Sequence, residues 1–197
     1  SSRFCGLAWP CEHGSSALRG VRLSVDLEWF FHALYPSEYW RYYDEQPILQ
    51  TVYHLLEVLE EHRIQATFYV LGVIAQQHPS LMAFLIQKGH HLGSHGWSHQ
   101  PYERKGDDFD RATRALLPEC MGYRAPYWHG TPRPGYAGGA FFRLLPYPLL
   151  KLEPLRSREL YLHPHDLDLH PGMLRRSVSI GDPWQKLERL LREVHFV

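Results

Sequence analysis

An α/β fold is what this sequence predicts, and three observations carry the prediction. Short apolar runs rich in β-formers alternate along the chain with segments whose apolar residues recur at helical spacing. The stretches between successive strand-like runs are long enough to hold a helix, which favours parallel neighbours. Three of these runs also end in chemistry-bearing residues: Asp26 with Glu28, His95 with His99, and His163. Parallel folds build their sites where strand ends converge.

Residues 1–20 carry Gly6, Pro10, Gly14 and Gly20 among serines without a sustained period, and read as an irregular entry segment. Residues 21–197 read as a single domain. Val21, Leu23, Val25 and Leu27 alternate with Arg22, Ser24, Asp26 and Glu28, which predicts a strand with both carboxylates on one face, roughly 7 Å apart. Trp29, Phe30 and Phe31 follow at once and set the acids beside apolar bulk. Ile48, Val52, Leu55, Leu56 and Leu59 form one stripe of a helix, with Pro47 in its first turn and Glu57, Glu60 and Glu61 opposite. The run from Gln65 to Leu71 predicts a buried strand. A second helix is expected over Pro79 to Lys88, stopped by Gly89, and a strand then leads into the histidines.

Asp107 or Asp108 suits the cap of a helix carrying Phe109, Ala112 and Leu116. Gly122 to Trp128 reads as a polar-aromatic loop with one cation, Arg124, and the Gly/Pro-dense stretch from Gly130 to Gly139 reads as loop. Phe141, Phe142, Leu144 and Leu145 open an apolar segment that Pro146 and Pro148 break. Leu160 to His163 predicts the last strand. Asp182, Pro183 and Gln185 match an N-cap, a first-turn proline and its third residue, starting a helix with Leu187, Leu190, Leu191 and Val194 inward.

Composition narrows the function. Lys plus Arg and Asp plus Glu are each 21, so no net field draws the chain to nucleic acid or an anionic membrane. No apolar run approaches the roughly 20 residues a membrane span needs. Cys5, Cys11 and Cys120 follow no metal-finger spacing, so a reducing, cytoplasmic setting is the simpler expectation, although a Cys5–Cys11 bridge and export stay open because the chain starts without Met. The oligomeric state is not legible.

The 14 histidines are the outlier. His95 and His99 are four apart, so a helical turn after Ser94 would project both imidazoles from one face. Pairs at that spacing arise by chance among so many histidines; the carboxylates upstream give this one weight. One carboxylate and two imidazoles make a standard open site for zinc. His165 and His170 with Asp166 and Asp168 form a weaker second grouping, in which Asp166 or Asp168 can instead orient His163.

Taken in order, these segments resemble the polysaccharide deacetylase family, the carbohydrate esterases of family 4 with a NodB homology domain, in its branch with a D-x-E first motif. Ser24 to Glu28 resembles the first motif and Ser94 to His99 the second, the S-H-x-x-S/T-H pair. Gly122 to Trp128 is similar to the third, R-x-P-Y-W, and Leu162-His163-Pro164 to the last. Gly138 to Pro146 and Lys186 to Leu191 also look like that branch. Two departures stand out: only nine residues lie between Trp128 and Gly138, where relatives carry further strands, and the stretch from His99 to Gly122 is short.

The resemblance implies a NodB-like distorted (β/α) barrel with fewer elements than a full barrel. It also implies metal-dependent removal of N-acetyl groups from the sugars of a polysaccharide. Glu28, His95 and His99 would hold the metal, most simply zinc, with Asp26 as base, Arg124 orienting it, His163 as acid and the Tyr127 amide as oxyanion donor. Tyr127 and Trp128 would stack on a sugar. Two other functions remain: a related hydrolase of small or cyclic amides, and a carbohydrate-binding relative without turnover. A structural ion pair is the plainer role for Arg124.

Overall fold

The computed structural model describes residues 20–100, 103, 107–128, 138–168 and 179–197. The entry segment to residue 19, with Cys5 and Cys11, the link at 129–137, and His170 lie outside them.

Four parallel strands form the centre. β1 (Arg22–Leu27) pairs with β2 (Thr67–Val70) on one side and β4 (Glu159–Leu162) on the other, and β2 pairs with β3 (His91–Ser94), giving the order β3-β2-β1-β4. Among the described residues β4 has no strand partner on its outer side, and β3 meets there no further strand but the short stretch from Met121 to Arg124, through the Ser94–Tyr123 bridge and backbone hydrogen bonds to Leu92 and Ser94. The described sheet is an open arc of four strands against the eight of a full barrel. Most strand residues are buried, including polar ones such as Ser24, Asp26 and Ser94. Leu27, Phe68, Val70, Leu92 and Leu162 are fully buried, each contributing about 1.5–3 kcal/mol of transfer free energy.

The helices that cover the sheet follow their sequence stripes. α1 (Phe30–Leu34) leaves the end of β1, and α2 (Gln46–Glu61) buries Ile48, Val52, Leu55, Leu56 and Leu59. α3 (Gly72–Gln77) and α4 (Pro79–Gln87) lie between β2 and β3, and Gly89, at φ +84°, ends α4 in the left-handed conformation that glycine adopts without strain. α5 (Asp107–Arg114) packs against α3. In α9 (Pro183–Glu193) the Asp182 carboxylate accepts from the Gln185 amide at 2.9 Å, the expected cap.

Three expectations need correction. Glu28 does not continue the strand: β1 ends at Leu27, and the Glu28 amide turns back to donate to the Asp26 carbonyl at 2.9 Å. No helical turn follows Ser94, because the chain runs through an irregular loop in which His99 itself takes φ +61°. Pro146 and Pro148 do not simply break the apolar segment. They separate α6 (Ala140–Leu144) from α7 (Tyr147–Ser157) and start the latter, Pro146 as its cap and Pro148 in the first turn, where a missing N–H costs no helical bond. α1, α3, α6 and α8 (Pro164–Leu167) span at most six residues, too few to show a period.

Candidate active site

The strand ends bring the three clusters together. A cavity of about 300 Å³ is lined by Asp26, Glu28, His95, His99 and His163, with Tyr127, Trp128 and Tyr161 around them. The backbone turn after Leu27 folds Glu28 back beside Asp26, so both carboxylates reach the same histidine. His163 Nε2 stands 3.8 Å from Asp26 Oδ2 and 3.7 Å from Glu28 Oε1.

The loop carrying His95 and His99 is organised by a residue that no spacing pointed to. Glu103, 1% exposed, accepts from the amides of Trp97 and Ser98 at 2.9 and 2.8 Å and of His99 at 3.2 Å, and from the Ser98 hydroxyl. Thr113 on α5 donates to the Gly96 carbonyl at 2.7 Å. At Gly96, φ +79°, an added Cβ would stand 3.2 Å from the Glu103 carboxylate, so glycine suits both the turn and the space. This scaffold places His95 and His99 with ring centroids 5.2 Å apart without a helix.

His95 Nδ1 lies 2.7 Å from the Arg124 carbonyl oxygen. A carbonyl only accepts, so Nδ1 carries the proton and Nε2 turns a lone pair toward Glu28 Oε2, 3.9 Å away. Burial drives the His95 pKa down to about 4, which keeps the ring neutral. His99 Nε2 approaches Glu28 Oε2 to 2.8 Å, yet this oxygen is buried with no aligned hydrogen-bond donor. Burial alone would raise the Glu28 carboxyl; the attraction of His99 outweighs it and holds the group well below its ordinary value.

Glu28, His95 and His99 each offer one ligand atom, all within 4.8 Å of one another. The orphaned Glu28 oxygen and the lone pair of His95 fit a divalent cation of the zinc type. Glu28, His163 and His165 also bring one ligand atom each within 4.8 Å of one another. That group fits less well, because the His163 and His165 rings stack at 4.7 Å and 15°, which sends their in-plane lone pairs side by side.

Arg124 lies on the other side of Asp26. Its guanidinium is sandwiched between Tyr69, 3.9 Å from the ring centre, and Trp128, 4.5 Å, and Nη1 donates to Asp26 Oδ1 at 2.6 Å. Removing one partner of such a buried pair typically costs about 3–5 kcal/mol. Trp128 therefore has one face on the guanidinium and an edge contact to Tyr161 at 5.1 Å, so its ring is already engaged within the protein. Tyr127 packs on His99 at 4.4 Å and its hydroxyl donates to the Ala33 carbonyl at 3.1 Å. Tyr127 and Trp128 both hold positive φ, +55° and +60°, a strained pair of the kind that collects at functional loops.

His163, just beyond β4, has its Nδ1 2.9 Å from Asp166 Oδ2. The same oxygen accepts from the His163 and Gly139 amides at 2.9 and 3.0 Å, while Arg143 Nε stands 3.9 Å from Oδ1. Burial opposes the charge on His163, but the adjoining Asp166 carboxylate raises its pKa to about 9. Lys186 of α9, itself buried, donates to the carbonyls of Phe142, Arg143 and Leu145 and so caps the α6 end that carries Arg143. Asp166 is one of the two residues the sequence offers for orienting His163, whereas nothing in the local pattern points to Glu103.

Comparison with known proteins bears on the fold and on the family the chain is similar to. Residues 39–127 match the family profile described as Polysaccharide deacetylase. Over those residues the chain is similar to the polysaccharide deacetylase family. The matched residues of this family hold His95, His99 and Arg124 but stop short of β1 and β4. A chitooligosaccharide deacetylase of Sinorhizobium fredii is 33% identical over 102 residues, covering 47% of this chain and 47% of that protein. A peptidoglycan-N-acetylglucosamine deacetylase of Bacillus cereus is 30% identical over 94 residues, covering 43% and 34%. The chain thus spans about a third to a half of these relatives' length. Among solved structures, a family 4 carbohydrate esterase from Streptomyces lividans in complex with acetate shares the fold with TM-score 0.55 and 15% identity, over 89% of this chain and 88% of that one. A family 4 pseudoenzyme from Bacillus anthracis gives 0.54 and 12%, over 90% and 63%.

Proposed function

We propose that the protein is a metal-dependent hydrolase that removes N-acetyl groups from N-acetylated sugars of a polysaccharide. One observation carries this reading: the Glu28/His95/His99 group opens on the same cavity as a histidine charged by its own carboxylate partner, 3.7–3.8 Å from Glu28 and Asp26. The matched relatives, which are deacetylases of N-acetylated sugars, support it.

In this reading Glu28, His95 and His99 hold the cation, with zinc favoured by the donor set. When bound, it polarises the acetamide carbonyl and acidifies water. Asp26, held by Arg124, takes a proton from the water whose oxygen attacks the carbonyl carbon. The Tyr127 amide donates to the developing oxyanion. His163 gives its Nε2 proton to the nitrogen as the C–N bond breaks, leaving acetate and a free amine. The aromatic surface of Tyr127 and Trp128 borders the sugar. The base role goes to Asp26 because Arg124 already engages it, and the ligand role to Glu28 because its oxygen faces both histidines.

The test is acetate release from N-acetylglucosamine oligomers, with zinc or cobalt added and with chelator. Release that needs metal is expected. Sugar binding without acetate release would instead make this a binding protein, and turnover of cyclic amides alone would move it to the other hydrolase class.

A further inference from the structure

We infer that Glu159, the first residue of β4, is a positioning residue that locks the Arg124 guanidinium in the plane from which it holds Asp26. The inference rests on the deacetylase reading for what Asp26 does and on geometry for everything else. Arg124 has two ends. Nη1 donates to Asp26 Oδ1 and, at 3.0 Å, to the Ser24 hydroxyl; Nη2 donates to Glu159 Oε1. The Ser24 hydroxyl in turn donates to that same Glu159 oxygen at 2.6 Å. The direction of every bond is thereby set: Ser24 accepts from the guanidinium and passes its own proton to Glu159.

The Tyr69 and Trp128 rings restrain the guanidinium out of its plane but leave it free to turn within that plane. The contact to Glu159 removes this freedom. With Glu159 absent, Nη1 and Nη2 can rotate together onto the two Asp26 oxygens as a bidentate pair, the geometry guanidinium and carboxylate prefer. The Asp26 oxygen now facing His163 at 3.8 Å would then be drawn to the arginine and away from the cavity. Glu159 also lies on the edge strand of the sheet formed by the described residues, so it ties that strand to Asp26, 133 residues earlier, through side chains as well as through the ladder.

The inference is tested with Glu159→Ala and Glu159→Gln, the second keeping an acceptor for Nη2. In wild type the two Nη nitrogens of Arg124 should give separate, slowly exchanging NMR signals. Glu159→Ala should shift both signals as the pair turns onto the Asp26 oxygens, and Glu159→Gln should leave them near their wild-type positions. On acetylated oligomers, Glu159→Ala should lower kcat about ten- to a hundredfold, as small misplacements of catalytic groups do, with KM and metal content unchanged and partial rescue in Glu159→Gln. In an Arg124→Ala background the same change should have no further effect on kcat. Nη signals left at their wild-type positions in Glu159→Ala, or an unaltered kcat despite shifted signals, would overturn the inference. A wild-type protein that releases no acetate would refute the deacetylase reading instead, and the guanidinium signals would then decide the role of Glu159 alone.

Discussion

His95 and His163 are the same residue type facing one cavity, and the structure gives them opposite electrostatics. His95 donates Nδ1–H to a backbone carbonyl, and burial keeps its ring neutral, with a pKa near 4. His163 has Nδ1 on the Asp166 carboxylate and is pushed to about 9. A neutral acceptor behind the ring leaves Nε2 a lone pair, and a charged one leaves it a proton. What a histidine offers to the site is set by the group at its back.

The largest expected effect tests the lone-pair half. His95→Ala or Glu28→Ala should strip the metal and lower acetate release on the order of 10³-fold, the several kcal/mol a metal contributes to the barrier. Asp26→Asn should keep the metal and still lose turnover. Metal analysis of the purified variants that found the reverse would exchange the roles of the two carboxylates.

Next in size is the proton half. His163→Ala should cost about a hundredfold in kcat while metal content stays at the wild-type level. Unchanged turnover would leave His163 a structural role only.

A smaller effect is expected behind the metal loop. Glu103→Gln keeps the shape of the side chain but weakens the charge that gathers three amides, so metal affinity should fall about tenfold, measured by competition with a chromogenic chelator. Equal affinity would mean that the loop holds its form without that charge.

The finest comparison concerns the charge on His163. Asp166→Asn should bring its pKa, followed by NMR in the metal-free protein, from about 9 toward the ordinary ~6.5. At pH 7 that change would leave roughly a quarter of the rings protonated, so kcat should fall about fourfold there and more at higher pH. The sign for stability follows from the same shifts. The raised His163 contributes stability that is complete below ~6.5 and lost as pH rises through about 9, and the lowered Asp166 contributes stability present above ~4 and lost as pH falls through its folded value. The urea midpoint of wild type should therefore drop between pH 7 and pH 10, and that of Asp166→Asn should drop less.

Much of the frame was legible in the sequence because it depends on local pattern. Alternation at Val21 to Leu27 and the stripe from Ile48 to Leu59 each bury what their period says they should. Asp26, Glu28, His95, His99 and His163 carry chemistry at or just past strand ends, and an α/β sheet leaves little choice about where those ends meet. What stayed hidden depends on contacts distant in the chain or on loop form. Glu159 meets Arg124 across 35 residues, and nothing near either one announces the other. Glu103 is close in sequence, but its role appears only once three successive amides point inward. The Asp26–Glu28 spacing misled for a related reason, since alternation describes a strand and Glu28 has already left it.

The strand order also dictates when the parts become available during synthesis. β1, β2 and β3, with the loops carrying His95, His99 and Arg124, are all encoded before residue 129, whereas β4 must find β1 across a span that separates Ser24 from Glu159 by 135 residues. Closing so long a loop is slow compared with pairing neighbours along the chain. The groups of the candidate cation site can therefore come together on the emerging chain while His163, beyond β4, is still unmade.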